Sequence, residues 1–298
     1  MRSALASLCR LPYSLAMNER YSFTKRWIVP VTLFSSSLAL HAQMSIVPGG
    51  VLNAASFDKT GAGVAPGSLI TIFGTGLGAT QADADTVPFS TTLGGVRVTV
   101  NGSFAALRDV IPAAGIINAQ VPFGVLPAGQ TTGNVDLAVN FNGALVTQSV
   151  KIVPVSPGIF TIPSGLGNAI LAGLSDFQIA APPGSINGLT THPIDRGSNA
   201  FMYVTGLGAM TPPVPDGSDG AGQTSQANST PIVWIGGVNT GVMAHVIFAG
   251  QAGLYPGVSQ INLTIPTNAP TGDKVPIQVQ SADGSVTSPA GVATISIR

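Results

Sequence analysis

Val64-Ala-Pro-Gly-Ser-Leu-Ile-Thr-Ile-Phe-Gly-Thr-Gly-Leu-Gly78 returns later in the chain as Ile194-Asp-Arg-Gly-Ser-Asn-Ala-Phe-Met-Tyr-Val-Thr-Gly-Leu-Gly208. Gly67 aligns with Gly197, and Thr75-Gly-Leu-Gly78 with Thr205-Gly-Leu-Gly208. Three more blocks follow in the same order. Leu93-Gly-Gly-Val-Arg-Val98 matches Ile235-Gly-Gly-Val-Asn-Thr240, and Ile117-Asn-Ala-Gln-Val-Pro122 matches Ile261-Asn-Leu-Thr-Ile-Pro266. Pro127-Ala-Gly129 then matches Pro270-Thr-Gly272. Blocks recurring in fixed order mark a duplicated structural unit. The second copy is longer after its Thr-Gly-Leu-Gly, and the extra residues fall in Pro212–Pro231, a Pro/Gly/Ser/Asp stretch that reads as a loop.

Each copy holds short apolar or alternating runs separated by turn residues. Ser68–Phe73, Val96–Val100, Ile116–Val121, Val135–Phe141 and Leu145–Val153 belong to the first. Asn199–Val204, Ile232–Ile235, Met243–Phe248, Gln260–Ile265, Val275–Ser281 and Val292–Ile297 belong to the second. Such spacing predicts two tandem immunoglobulin-like β-sandwiches, over residues 43–165 and 166–298. Asn101-Gly102 and Asn142-Gly143 predict two-residue hairpin turns, since both residue types tolerate positive φ. Asp283-Gly284 predicts the same in the second copy. Ala169–Ala172 and Gln178–Ala181 are expected to mirror Val51–Ser56 as its first strand.

Composition agrees with an all-β chain. Charged residues make up 8% of its 298 residues, against about 25% in ordinary globular proteins. Hydrophobic residues make up 45%, which is ample for a core, so low charge here does not mean disorder. Glu occurs only at Glu19, and with Lys and Arg also scarce the usual surface formers of helices are missing. Arg2, Arg10, Arg20, Lys25 and Arg26 account for five of the 12 basic residues, so the chain beyond residue 42 is net negative. That balance disfavours nucleic acid, whose phosphates need a basic patch.

Arg20, Lys25 and Arg26 precede the apolar run Trp27–Leu40, followed by His41 and Ala42. A basic start, a short apolar run and a small residue before the cut describe a secretory signal over residues 1–42, with Met17 the better start. The run is too short for a membrane span, which needs roughly 20 residues. No integral span is expected after cleavage, and the address is extracytoplasmic. Cys9 is the only cysteine and lies before the expected cut, so the exported chain has no disulfide and no thiol chemistry.

Several motifs carry a resemblance: Asn53-Ala-Ala-Ser-Phe57, Ala65-Pro-Gly-Ser68, Phe73-Gly-Thr-Gly-Leu77, Ile117-Asn-Ala-Gln-Val-Pro122, Ser156-Pro-Gly-Ile-Phe160 and Gly206-Leu-Gly-Ala-Met-Thr-Pro-Pro-Val-Pro-Asp-Gly217. Gly253-Leu-Tyr255 leading to Gln260-Ile-Asn262 adds to them. Together they resemble an exported, uncharacterised C-terminal domain family expanded in Acidobacteria, of the Solibacter type. Each copy is also similar to the IPT/TIG class of immunoglobulin-like domains. The resemblance covers almost all of Ile46–Arg298 and implies an extracytoplasmic, non-catalytic module. Such units usually end much larger proteins, whereas this chain is little else.

Searching for chemistry gives little. There is no Gly-x-Ser-x-Gly elbow. Beyond residue 42, His192 and His245 are the only histidines, and each reads more simply as a surface or hydrogen-bonded side chain. Glycosidase chemistry would need two carboxylates, but Asp58, Asp109, Asp136, Asp176, Asp195, Asp273 and Asp283 sit among turn residues or strand ends. No catalytic residue is therefore expected. Gly74-Thr-Gly-Leu-Gly78 lacks the Lys and the helix of a phosphate loop and reads as a strand-end turn. No cofactor is expected. Ca²⁺ is the weak exception, because Asp83 and Asp85 follow the first Thr-Gly-Leu-Gly and Asp216 and Asp219 the second. The spacing around Asp216 falls short of a calcium loop, and a solvated turn explains it more simply.

Trp234 and Tyr203 lie in strand runs and read as core, while Tyr255, in a Gly/Pro-rich loop, is the surface candidate for binding. The expected function is a secreted or cell-surface interaction module that binds a protein or a glycan through loops at the sandwich ends. Ala79–Thr92 and Pro212–Pro231 differ most between the copies and are the expected ligand loops. Deleting Gly217–Gln226 is expected to leave the fold intact. The rival readings are a structural spacer or assembly unit of the cell envelope and an accessory carbohydrate-binding module.

Overall fold

A computed structural model describes residues 43–253 and 255–298. The expected leader, residues 1–42, lies outside the described residues. The described chain is all-β. Apart from a three-residue 3₁₀ turn at Pro112–Ala114, its regular elements are strands. Among the described residues no helix is long and apolar enough to cross a membrane.

The first half holds β1 (Ser45–Asn53), β2 (Leu69–Thr75), β3 (Ala82–Asp83), β4 (Val96–Val100), β5 (Ser103–Phe104), β6 (Ala106–Ile111), β7 (Ile116–Gln120), β8 (Gly133–Phe141) and β9 (Ala144–Ile152). They form a five-stranded sheet in the order β1-β2-β7-β6-β3 and a four-stranded sheet in the order β5-β4-β8-β9. Alternation drives the packing of the second sheet. Val96, Val98 and Val100 of β4 are buried, while Arg97 between them is exposed. They meet Ile70, Ile72, Ile117 and Ala119 of the other sheet in one core that runs from Ile46 to Ile152.

The second half begins with β10 (Gly158–Ile159), β11 (Thr161–Ile162), β12 (Gly167–Ala169), β13 (Leu171–Gly173), β14 (Ile179–Ala180) and β15 (Thr191–His192). It continues with β16 (Asn199–Thr205), β17 (Met210–Thr211), β18 (Gln226–Ala227), β19 (Ile232–Ile235), β20 (Val242–Gln251), β21 (Ser259–Thr264), β22 (Gly272–Gln280) and β23 (Ala293–Ile297). All fourteen join one sheet, part of which curls as a half-barrel. A second core runs from Ile159 to Ile297.

The repeat is visible in the pairing. β16 pairs with β21 as β2 pairs with β7, setting Phe201 opposite Asn262 where the first copy sets Thr71 opposite Asn118. The register slips between Leu107 and Asp109 in one copy and between Val246 and Phe248 in the other. β13 pairs with β16 as β1 pairs with β2, which makes Leu171–Gly173 the counterpart of the first strand. The matched Gly-Gly blocks are not equivalent. Gly94-Gly95 precedes β4, whereas Gly236-Gly237 follows β19. Paired glycines suit any tight turn, so their match in sequence does not fix a position.

Asn101-Gly102 and Asn142-Gly143 turn with positive φ at both residues, as hairpins of that length need. Asp283-Gly284 differs: Gly284 alone has positive φ, and the Asp283 carboxylate makes the turn. It accepts bonds from the Ser281 hydroxyl at 2.5 Å, the Ser285 amide at 3.0 Å and the Ser285 hydroxyl at 2.8 Å. Those three donors hold its pKa down at about 2.

Candidate functional site

The two loops expected to hold a ligand touch each other. Phe89 N–H donates to Gly217 O at 2.8 Å, and Gly217 N–H donates to the Gln120 side-chain oxygen at 2.7 Å. Asp216 Oδ1 accepts Phe123 N–H at 2.8 Å. Although the Asp216 residue as a whole is exposed, burial at that contact raises its carboxyl pKa, with the Phe123 amide acting in the opposite direction. The Tyr255 ring lies tilted against Phe89, their centroids 6.5 Å apart. Tyr255 is half-buried rather than freely displayed. Gly217 has φ +74°, and a Cβ there would come within 2.9 Å of Phe89 O, so glycine is required at this crossing. The deletion expected to be harmless would therefore remove part of the junction, including the fully buried Ser225.

The four carboxylates considered for Ca²⁺ are dispersed in their bonding. Asp83 is exposed in β3, opposite Asp109 of β6. Asp85 is exposed just beyond it. Asp219 closes a turn by accepting Ala221 N–H at 2.9 Å, and Asp216 is committed to Phe123. The described residues contain no group of three or more His, Cys, Asp or Glu side chains that could hold a metal ion.

Of the carboxylates read as lying among turn residues or at strand ends, Asp176 is in the turn after β13, whereas Asp109 is not at a turn. Asp109 lies within β6, 3% exposed, bonded to Arg108 and to the Asn118 side chain. Burial raises its pKa, against the lowering pull of Arg108 and Asn118. Asp176 bonds His192 Nε2 at 2.6 Å, while His192 Nδ1 meets Pro193 O at 2.6 Å. Both ring nitrogens thus face acceptors, which favours the doubly protonated imidazolium and leaves no basic nitrogen for a nucleophile. The Asp176 bond, then the Pro193 bond, raises the His192 pKa. Tyr203 is buried as expected, but Trp234 is half-buried and donates Nε1–H to the Gln280 side-chain oxygen at 2.9 Å.

Sequence reading did not identify a cleft of ligand size among the described residues. A cleft of about 500 Å³ opens where the segment after β1 meets the hairpin between β22 and β23. Asp58, Thr60 and Lys151 from the first copy line it, with Gln278, Ser285 and Thr287 from the second. Val153 and Pro289 add apolar lining. Gln278 is held in place, because its Oε1 accepts Val238 N–H at 3.1 Å and its Nε2 donates to Ser288 O at 3.0 Å. No residue here has a recognisable motif, and the cleft exists only because distant segments converge. No protein-family model matches this chain, and no curated protein matches it either.

Proposed function

We propose that this chain is an extracytoplasmic, non-catalytic binding module made of two immunoglobulin-like sandwich repeats. In this reading its ligand is a glycan segment seated in the cleft between the Asp58–Ala62 segment and the Ser285–Ala290 hairpin. The observation that carries the reading is the cleft itself: about 500 Å³, walled by both copies. Hydroxyls, one ammonium and one carboxylate line it beside apolar groups, the mixture that a polyhydroxylated ligand can satisfy. The resemblance to the exported Acidobacterial family, carried by the motif residues named above, fits this reading. So does a leader over residues 1–42.

Isothermal titration against a panel of neutral oligosaccharides tests it. A ligand should bind, and Asp58→Ala and Lys151→Ala should each weaken it at least about tenfold, equivalent to 1.4 kcal/mol. Tyr255→Phe should leave it unchanged. Absence of binding across the panel, or binding indifferent to both cleft substitutions, would sink this reading.

An assembly unit is the second reading, favoured by the outward face of β19 and β20. There Met243 is 59% and Ile247 51% exposed beside half-buried Trp234. Mass measurement across a concentration series separates the two, since only assembly predicts a concentration-dependent oligomer.

A further inference from the structure

The outer face of the five-stranded sheet carries a polar group that the second copy does not share. Backbone bonds join Val121 to Ser68 and Gly74 to Gly115 across β2 and β7. Antiparallel alternation then makes Thr71 and Asn118, opposite each other in the register, a non-hydrogen-bonded pair. In such pairs the facing side chains approach most closely, with Cα atoms about 4.5 Å apart. The Thr71 hydroxyl sits 2.5 Å from Asn118 Oδ1. Asn118 Nδ2 donates to Asp109 Oδ1 at 2.7 Å. Thr71, Asn118 and Asp109 are 1%, 5% and 3% exposed, so bulk water is kept from all three. In the second copy the matching positions are Phe201, Asn262 and Phe248. The asparagine is kept there, but both the hydroxyl and the carboxyl are gone.

We infer that Thr71 and Asn118 form an ester cross-link between β2 and β7 within the folded sheet, with Asp109 carrying the protons. Thr71 Oγ1 bonds to Asn118 Cγ while the hydroxyl proton passes to Oδ1, which it already faces. The tetrahedral carbon that results is neutral. Asp109, whose Oδ1 accepts the Nδ2 hydrogen, takes the proton from the Oδ1 hydroxyl as the carbonyl re-forms and passes it to Nδ2. The Cγ–Nδ2 bond breaks, ammonia leaves, and Asp109 is returned to its starting state. One C–N bond is exchanged for one C–O bond, no electron pair is gained or lost overall, and no co-reactant is needed.

Three physical conditions favour the step. The nucleophile and the electrophilic carbon belong to one rigid strand pair, so their approach costs no further ordering. Burial excludes the water that would hydrolyse the ester. Desolvation also raises the Asp109 pKa, which makes its carboxylate a better base for the Oδ1 proton that it relays. A chain without cysteine after Cys9 has no disulfide to tie its strands. The ester would supply that tie, and it does not depend on the ligand-binding reading.

Peptide mass mapping of the purified full chain tests the cross-link. Cleavage after Lys and Arg places Thr71 in Thr60–Arg97 and Asn118 in Asp109–Lys151. The expected product is a single linked species, lighter than the two peptides together by one ammonia and split by hydroxylamine. Thr71→Ser should keep the link and Thr71→Val should abolish it. Asp109→Asn should slow its formation about 10²-fold, the usual contribution of a placed general acid. Wild-type peptides recovered unlinked after long incubation of the folded protein would overturn the inference, whether Asn118 remains an amide or has become an acid. The wild-type measurement decides even if a variant fails to fold. An Asp109→Asn protein that links at the wild-type rate would remove Asp109 from the mechanism.

Discussion

Thr205 and Thr75 occupy the same place in two identical Thr-Gly-Leu-Gly blocks, yet the structure uses them differently. Thr205 is completely buried, and its hydroxyl accepts Leu69 N–H at 2.9 Å while donating to Gly257 O at 2.7 Å. It thus satisfies a backbone group from each copy. Thr75 is exposed and bonds the Ser45 hydroxyl at 2.9 Å. A buried donor or acceptor left unpaired costs about 1–3 kcal/mol, whereas an exposed one turns to water. Thr205→Val keeps the shape but strands two backbone groups, so it should destabilise by about 2–4 kcal/mol. Thr75→Val should stay within about 0.5 kcal/mol. Urea unfolding midpoints of the two variants check this, and equal shifts would contradict it.

At the scale of the element, short strands are held by side-chain bonds as much as by their ladders. β15 contains just Thr191 and His192. His192 is clasped to Asp176 in the turn between β13 and β14, and Arg298 and Asp195 form an exposed pair nearby in charge terms. Arg298 opposes the imidazolium, while Asp176 favours it. The folded-state pKa of His192 lies above its unfolded value of 6.5. Its stabilisation is therefore complete below pH 6.5 and is lost as pH rises through the folded value. Desolvation pushes the Asp176 pKa up, but Gln178 N–H and His192 outweigh it, and the net shift is below 3.8. That contribution is complete above pH 3.8 and is lost as pH falls through the lowered value. The clasp is thus strongest between these limits. Both partners are partly exposed, so solvent screening limits it to about 0.5–1 kcal/mol. His192→Gln should cost that much near pH 5.5 and almost nothing near pH 9, read from urea midpoints at the two pH values. A pH-independent difference would mean that packing, not charge, supplies the effect.

At the scale of the whole molecule, β7 is buried along its whole length and β2 over Leu69–Ile72 because both of their faces are covered there. One face meets the first core. The other carries Leu69, Thr71, Asn118 and Gln120, several of which reach the second copy through Thr205, Gly217 and Gly257. The loop Pro212–Pro231 is part of that contact. Deleting Gly217–Gln226 should lower the melting temperature of the whole described unit by about 5 °C or more, since 1 kcal/mol is worth about 2–4 °C at this size. Differential scanning calorimetry reads it, and an unchanged transition would show the loop to be dispensable. The sequence by itself determined the all-β class, most strand positions, the Asn-Gly hairpins and the repeat. These depend on alternation, turn chemistry and recurrence, which are local along the chain. It misplaced the Gly-Gly match, put Asp109 among turn residues or strand ends with no sign of its burial, and did not show that the two long loops meet. Only the tertiary structure decided which of two identical threonines is buried and which carboxylates lose water. It also decided where a cleft opens, because burial is set by what packs opposite a residue, and that partner lies far away in the chain.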